Sequence, residues 1–266
     1  MRQIGKWPAL REGEVHVWHA ELDRAGAPAG ALDPVERARA ARFRRAEDAR
    51  LFRFAHATLR RVLGGYLSCD PAVPRFARRR DGKPVLHPRT GLAGIEFNLS
   101  HSGRRVAIAL SRRIAVGVDI ERVRPHAHMM QLAQRFFAPD EVAALEALSG
   151  EGRIQAFFRL WALKEAVIKM TGQGLAQRLD SFSVLPLEGA EPGIRGALDT
   201  ISAGRIRLET SDLAGRYHWA VSAAAGQVRL RHFVLAGPGA GGAPLRPVLC
   251  QVRAGRVMGR SPHGCA

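Results

Sequence analysis

The stretch Ile114–Glu121 reads IAVGVDIE, in which apolar residues alternate with small and acidic ones. Successive side chains of a β-strand point to opposite faces, so this alternation predicts a strand with one apolar face toward the core. Asp119 and Glu121 lie on the opposite face, two residues apart. The stretch therefore predicts a core strand that holds two carboxylates side by side.

Helices and further strands are predicted on both sides of this strand. Asp33, Pro34 and Glu36 form a capping box with proline at the first helical position, which starts a helix that runs to about Arg45. Further helices are predicted from about Asp48 to Leu67, from Pro139 and from Arg153 to Thr171, and strands over Val15–Trp18, Phe182–Leu185 and Tyr217–Ser222. Helices and strands are mixed without regular alternation, so the sequence predicts an α+β fold.

Length and composition indicate a globular protein. The 266 residues and the hydrophobic content of 46% suit one large domain or two small ones. No apolar run reaches the roughly 18 residues of a membrane span, and no apolar stretch follows the charged N-terminus as in a signal peptide. The three cysteines are scattered and odd in number, which indicates neither a metal pattern nor a disulfide framework. We therefore expect a protein of the reducing cytoplasm with no membrane partner.

The charge balance is strongly basic. Lysine and arginine total 41 against 24 acidic residues, which gives a formal net charge of +17. Such a surplus indicates a polyanionic partner, which could be nucleic acid, an anionic membrane, a phosphorylated ligand or an acidic protein. Charge alone leaves these partners open, together with the alternative that much of the excess is solvated surface.

The two carboxylates of the core strand suggest a metal site. Asp119 and Glu121 would repel each other unless a cation lies between them, and Mg²⁺ suits oxygen ligands that also face phosphates. Glu165 lies on the long predicted helix as a third carboxylate, with Lys169 one turn further on. The alternatives are a solvated strand edge for the Asp-x-Glu pair and an ordinary salt bridge for Glu165 and Lys169.

Three segments together resemble the motifs of the 4′-phosphopantetheinyl transferases, in the larger two-lobed type associated with surfactin-like peptide and polyketide synthases. The segments are Phe97–Ser102 (FNLSHS), Gly117–Glu121 (GVDIE) and Trp161–Ala166 (WALKEA), the last continuing through Lys169 and Gly172. Gly82-Lys83-Pro84 resembles a further element upstream. The similarity covers roughly Val15 to Ala224, and the order and spacing of the motifs make it specific.

The resemblance implies two similar α+β lobes related by a pseudo-twofold, with coenzyme A in the cleft between them. We expect residues 1–112 to form the N-terminal lobe and residues 113–235 the C-terminal lobe with the metal site. Residues 236–266 are rich in Gly, Pro and Arg and are expected to form a loosely ordered tail. Because one chain supplies both lobes, a monomer is expected.

The resemblance also implies a reaction. The 4′-phosphopantetheine of coenzyme A moves to a serine of an apo acyl or peptidyl carrier protein, which is acidic, and 3′,5′-ADP is released. Asp119, Glu121 and Glu165 would hold Mg²⁺ against the pyrophosphate. Glu165, or a metal-bound water held by Glu121, would take the serine proton. Lys169 and Lys164 would neutralise charge on the transferred phosphoryl group.

Further residues are expected to bind coenzyme A. Ser100 and His101 would contact its phosphates, and Lys83 and Pro84 would lie near its adenine. Arg53 is the candidate for a phosphate-binding arginine on the second helix, with Arg50 as its rival. The first helix carries arginines where the surfactin-type relatives have lysines proposed to touch coenzyme A.

Two other functions are consistent with parts of the sequence. The arginine clusters Arg42–Arg45 and Arg78–Arg80, with Asp119 and Glu121, could belong to a basic metal-dependent nucleic-acid-binding protein or nuclease. An aromatic content of 6% and the lack of a recognised nucleic-acid motif argue against it. A non-catalytic scaffold is disfavoured because all three carboxylates are present.

Overall fold

The computed structural model describes residues 2–3, 7–22, 31–88, 94–174, 177–186, 192–196, 198, 206–213, 215–236, 246–250, 252–253 and 256–257. The helices are α1 Pro34–Ala41, α2 Ala46–Leu67, α3 Met129–Phe136, α4 Pro139–Glu146 and α5 Gly150–Thr171. The strands are β1 Arg2–Gln3, β2 Glu14–Glu21, β3 Phe76–Arg78, β4 Pro84–Leu86, β5 Ile95–Ser102, β6 Arg105–Arg112, β7 Val116–Arg122, β8 Phe182–Leu185, β9 Gly193–Gly196, β10 Arg207–Asp212, β11 Tyr217–Ala223, β12 Arg229–Ala236, β13 Arg246–Cys250, β14 Val252–Arg253 and β15 Arg256–Val257. Among the described helices, none is long and apolar enough to cross a membrane.

The local signals of the sequence start and end the helices as predicted. Asp33 Oδ1 accepts from the Glu36 N–H at 2.8 Å, and Glu36 Oε2 accepts from the Asp33 N–H at 3.1 Å, so the capping box is confirmed. Helix α5 ends at Gly172, which has the left-handed φ of +80° that favours glycine. Helix α1 is shorter than predicted and ends at Ala41 instead of about Arg45.

The strands form two large sheets that pack between α2 and α5. The first sheet has the order β1-β13-β12-β2-β6-β5, and the second has the order β14-β15-β10-β11-β7. One face of the first sheet, including Trp18 and Ile108, packs against α2. Its other face meets the second sheet through residues such as Val17 and Val118. The second sheet packs its far face against α5, so the layers run helix, sheet, sheet, helix.

Each half of the chain repeats one order of elements. Strand β2 is followed by α1, the 22-residue α2, the two-stranded sheet β3–β4 and the hairpin β5–β6. Strand β7 is followed by α3 and α4, the 22-residue α5, the two-stranded sheet β8–β9 and the hairpin β10–β11. β2 pairs antiparallel with β6 as β7 does with β11. The α+β fold with two similar lobes is therefore confirmed.

The sheet topology differs from the predicted domain boundaries in one respect. β12 lies within the segment assigned to the C-terminal lobe, but it pairs parallel with β2 in the first sheet. The expected loose tail also contributes strands, since β13 pairs with β12 and β15 pairs with β10. The Gly, Pro and Arg content of the tail does not predict this pairing, because strands pair through hydrogen bonds of the backbone. The other residues of the tail lie outside the described residues.

Helix α5 lies directly on β7 at Gly117. A Cβ atom at this position would lie 2.0 Å from the Ala166 carbonyl oxygen and 2.5 Å from the Met170 nitrogen. Ser222 on β11 donates to the same Ala166 carbonyl at 2.8 Å. Gly117 is therefore required by the close approach of helix and strand, which brings α5 side chains next to those of β7.

We expect Gly117→Ala to lower the free energy of unfolding by about 3 kcal/mol, because the added methyl group meets backbone atoms that have little freedom to move. Urea denaturation measures this change. The matched control is Gly152→Ala in α5, where nothing lies within 4 Å of the added Cβ. The control should keep the wild-type stability or gain up to about 1 kcal/mol from the helix propensity of alanine. Equal stabilities of the two variants would contradict the close approach.

Candidate active site

A cavity of about 1010 Å³ lies between the two halves of the chain. The first half contributes residues of α1, α2, the β3–β4 hairpin and β5. The second half contributes residues of α3, of the C-terminal end of α5 and of the segment that follows it. Ligand sites of proteins are commonly clefts of roughly 300–1,000 Å³ at such boundaries. The cavity is therefore the candidate active site.

The carboxylates predicted on β7 lie beside the helix that forms one wall of the cavity. Lys169 on α5 lines the cavity, and its Nζ donates to Asp119 Oδ1 at 2.5 Å. Ser100 donates to the same oxygen at 2.7 Å. Asp119 is 2% exposed, and its Oδ2 has no hydrogen-bond partner among the described residues. A buried carboxylate oxygen without a donor is unusual, and it leaves room for a further positive ligand.

The three carboxylates lie close enough to affect one another's ionisation. Burial raises the pKa of Glu121 to about 7, and the charges of Asp119 and Glu165 act in the same direction. Burial also raises the pKa of Glu165, with Asp119 adding to the shift while Lys169 opposes it. Burial alone would lower the pKa of Lys169, but its pair with Asp119 outweighs this effect and raises it. One ammonium thus lies near three carboxyl groups, two of which are hard to ionise where they are buried.

The donor set fits a hard cation. In the described part of the chain, no group of three or more His, Cys, Asp or Glu side chains is already arranged to hold a metal ion. Asp119, Glu121 and Glu165 nevertheless offer oxygen ligands alone, which is the set that Mg²⁺ prefers. The buried Asp119 Oδ2 without a partner and the raised pKa values of the two glutamates both indicate a site that a cation would stabilise.

Lys164 does not belong to the cavity, which corrects its predicted catalytic role. Its side chain is fully buried, and Nζ donates to Glu141 Oε2 at 2.6 Å and to the Phe182 carbonyl at 2.6 Å. Glu141 also accepts from the N–H groups of Ala138 and Val184. Lys164 therefore ties α5 to α4 and β8 in the core. Lys164 and Glu165, neighbours in the segment Trp161–Ala166, therefore differ in role, because adjacent helix positions face different directions.

The side chains of Ser100 and His101 point to opposite faces of β5, because successive side chains of a strand alternate in direction. The Ser100 hydroxyl donates to Asp119 on β7, and its expected contact with coenzyme A phosphates stays a prediction. His101 lines the cavity as expected. Desolvation lowers the pKa of His101, and nearby His56, Lys169 and Arg39 lower it further. Basic side chains therefore lie close to His101 along the cavity wall.

Lys83 and Pro84 both line the cavity. The Lys83 ammonium, however, donates to the carbonyl oxygens of Val116 at 2.9 Å and Met170 at 3.1 Å. Burial lowers the pKa of this lysine to about 8. Lys83 therefore links the β3–β4 hairpin of the first half to β7 and α5 of the second. The expected position of both residues near an adenine stays a prediction.

The predicted phosphate-binding arginines of α2 are not the arginines of the cavity. Arg50 and Arg53 do not line it, since α2 presents Phe52, His56 and Leu59 on that side. Arg39, Arg78, Arg135 and Arg178 do line it, and they were not predicted. Arg178 is paired with Asp180. For the other three, no carboxylate of the described residues forms an ion pair. Arg39 lies on the first helix, which carries arginines where the surfactin-type relatives have lysines. This difference was the feature of the sequence that could have pointed to Arg39.

Comparisons with known proteins match both halves of the chain. Residues 115–222 match the family model of the 4′-phosphopantetheinyl transferase superfamily, and residues 16–113 match that of the 4′-phosphopantetheinyl transferase N-terminal region. The chain is 39% identical to the 4′-phosphopantetheinyl transferase HetI of Nostoc sp. strain PCC 7120 over 187 residues. This aligned region covers 68% of this chain and 79% of that protein. It is 35% identical over 153 residues to the 4′-phosphopantetheinyl transferase Sfp of Bacillus subtilis strain 168, covering 58% of this chain and 66% of that protein.

We expect Lys164→Met to lower the free energy of unfolding by about 3–5 kcal/mol, because it leaves the Glu141 carboxylate buried and uncompensated. The double variant Lys164→Met/Glu141→Gln removes both charges and should recover part of this loss. A double-mutant cycle by chemical denaturation measures the coupling between the two residues. Additive effects of the single substitutions would contradict the buried ion pair.

Proposed function

This chain belongs to the 4′-phosphopantetheinyl transferase family, and we propose that it moves the 4′-phosphopantetheine of coenzyme A onto a serine of an apo acyl or peptidyl carrier protein. The serine oxygen forms a bond to the phosphorus that carries pantetheine. The bond from that phosphorus to the oxygen of the adenosine-side phosphate breaks, and 3′,5′-ADP leaves. The observation that supports this assignment most directly is the cavity between the halves, which combines carboxylates, Lys169 and arginines.

Glu165 is the proposed general base. It lines the cavity, where its carboxylate can accept the proton of a hydroxyl that enters the site. Lys169 lines the same wall one helical turn away and carries a positive charge. Its ammonium stabilises negative charge on the phosphoryl oxygens as the bond to the leaving group breaks.

Mg²⁺ is the proposed cofactor, held by Asp119, Glu121 and Glu165. When bound, it supplies charge neutralisation at the pyrophosphate of coenzyme A. The protein contributes the fixed carboxylates on β7 and α5. Their oxygen atoms suit a hard cation, and the buried Oδ2 of Asp119 offers a ligand that no described residue uses.

The positive side chains of the cavity are the proposed binding site for the phosphates of coenzyme A. Arg39 lines the cavity together with His56 and His101, and its guanidinium carbon lies 5.2 Å from the ring centre of Phe52. Arg78 and Arg135 line the cavity from the β3–β4 hairpin and from α3. These arginines can make paired hydrogen bonds with phosphate oxygens.

The remaining parts of the proposal concern partners and location. We propose an acidic carrier protein, because the net charge of +17 favours an acidic partner. A monomer is proposed because both walls of the cavity come from one chain. A cytoplasmic location is proposed because the cysteines suggest no disulfide framework, and Cys69 is free. Family membership favours this protein substrate over the nucleic-acid alternative.

Glu165→Gln is expected to lower the rate of transfer by roughly 10²–10⁴-fold, because the amide cannot accept the serine proton. Mass spectrometry of an apo carrier protein incubated with coenzyme A and Mg²⁺ measures the transfer. The variant should unfold at no lower temperature than the wild type, since it removes a carboxylate whose charge burial disfavours. Glu151→Gln, the same substitution at an exposed position of α5, is the control and should keep the full rate. Full transfer by Glu165→Gln would contradict the role of a base.

Arg39→Gln is expected to raise the KM for coenzyme A by roughly tenfold or more, because it removes a charged hydrogen-bond donor from the phosphates. The KM for the carrier protein should change little. Arg53→Gln is the matched control on the neighbouring helix, outside the cavity, and should leave both constants unchanged. A larger effect of Arg53→Gln than of Arg39→Gln would restore the assignment made from the sequence.

A further inference from the structure

Strand β7 is the edge strand of the second sheet, and its outer N–H groups are satisfied by side chains. The Val118 N–H donates to Asn98 Oδ1 at 3.0 Å, and the Arg122 N–H donates to Ser102 Oγ at 3.1 Å. Between them, the Ile120 N–H donates to Ser100 Oγ at 3.4 Å. Three alternate residues of β5 thus replace the backbone of a neighbouring strand.

The two serines of this row make a second hydrogen bond, and each one goes to a carboxylate of the active site. Ser100 Oγ donates to Asp119 Oδ1 at 2.7 Å, and Ser102 Oγ donates to Glu121 Oε2 at 3.0 Å. A hydroxyl has one proton, and the backbone N–H already occupies a lone pair of its oxygen. The proton is therefore directed to the carboxylate. The backbone N–H groups of β7 therefore orient each serine hydroxyl so that its proton points to a carboxylate.

The position of Ser102 is fixed from its other side as well. Gly103, which follows it, has a left-handed φ of +57°, and a Cβ there would lie 2.6 Å from the Tyr217 hydroxyl oxygen. The Arg104 N–H donates to the same oxygen at 3.2 Å. Tyr217 of β11 thus holds the backbone of the turn that follows Ser102.

We propose that Ser102 is a positioning residue that holds Glu121 Oε2, so that the other oxygen of Glu121 and the free oxygen of Asp119 face a divalent cation together. This inference rests on the proposed function, because it assigns a role toward the proposed Mg²⁺. Ser102 is a better test than Ser100, because Asp119 also receives a hydrogen bond from Lys169. Among the described residues, Ser102 is the hydrogen-bond donor to Glu121.

The test measures binding of Mn²⁺ alone by electron paramagnetic resonance, in which the free ion gives the signal, and uses the full chain. We expect Ser102→Ala to raise the Kd for Mn²⁺ by roughly 10–100-fold, the usual effect of removing a residue that orients a metal ligand. Ser102→Thr keeps the hydroxyl and should recover most of the affinity. In the transfer assay, Ser102→Ala should need more Mg²⁺ for half-maximal rate and should approach the wild-type rate at saturating Mg²⁺.

Ser111→Ala is the matched control for stability. Its hydroxyl is buried on β6 and donates to the Ile114 carbonyl, so its loss should cost similar stability without changing the Kd for Mn²⁺. An unchanged Kd in Ser102→Ala, with binding by the wild type intact, would overturn the inference and leave the proposed function in place. Absence of Mn²⁺ binding by the wild type would overturn both the cation site and the positioning role. Equal loss of affinity in Ser102→Ala and Ser102→Thr would overturn the role of the hydroxyl.

Discussion

The contact between β5 and β7 joins the two halves of the molecule through side chains rather than through a backbone ladder. An edge strand exposes N–H groups that must find partners when they are buried. Here Asn98, Ser100 and Ser102 supply those partners, so the two sheets meet without forming one continuous sheet. The same hydroxyls reach the carboxylates of β7. The packing of the halves and the geometry of the active site therefore depend on one row of polar residues.

Two lysines of α5 show how burial assigns different roles to the same residue type. Lys164 is fully buried against Glu141, where two charges are costly unless they are paired and hydrogen-bonded. Lys169 lies in the wall of the cavity, where three carboxylates surround it and its side chain keeps 28% exposure. The first lysine fixes the helix in the core, and the second remains available to a ligand. Gly117 completes the arrangement, because it lets α5 approach β7 closely enough for Lys169 to reach Asp119.

Local signals were enough to predict much of the fold and part of the site. The capping box at Asp33, the end of α5 at Gly172 and the alternation of β7 are properties of short segments, and the structure confirms all three. The repeat of the two lobes was not visible, because it preserves the order and pairing of elements rather than the identity of residues. The pairing of β12 with β2 was also missed, since the hydrogen bonds between distant strands leave little trace in sequence.

Within the site, the chemical groups can be read from the sequence: three carboxylates, a lysine one turn from Glu165, and a histidine between two serines. Which of these groups face the cavity depends on how the strands and helices pack. Neighbours on a strand point to opposite sides, so His101 reaches the cavity whereas Ser100 reaches Asp119. Neighbours on a helix diverge by about 100°, so Glu165 lines the cavity whereas Lys164 is buried in the core. On α2 the residues that face the cavity are Phe52, His56 and Leu59, so Arg53 does not line it, whereas Arg39 of α1 does. A motif lists residues in order, but their directions are set by the elements that pack around them.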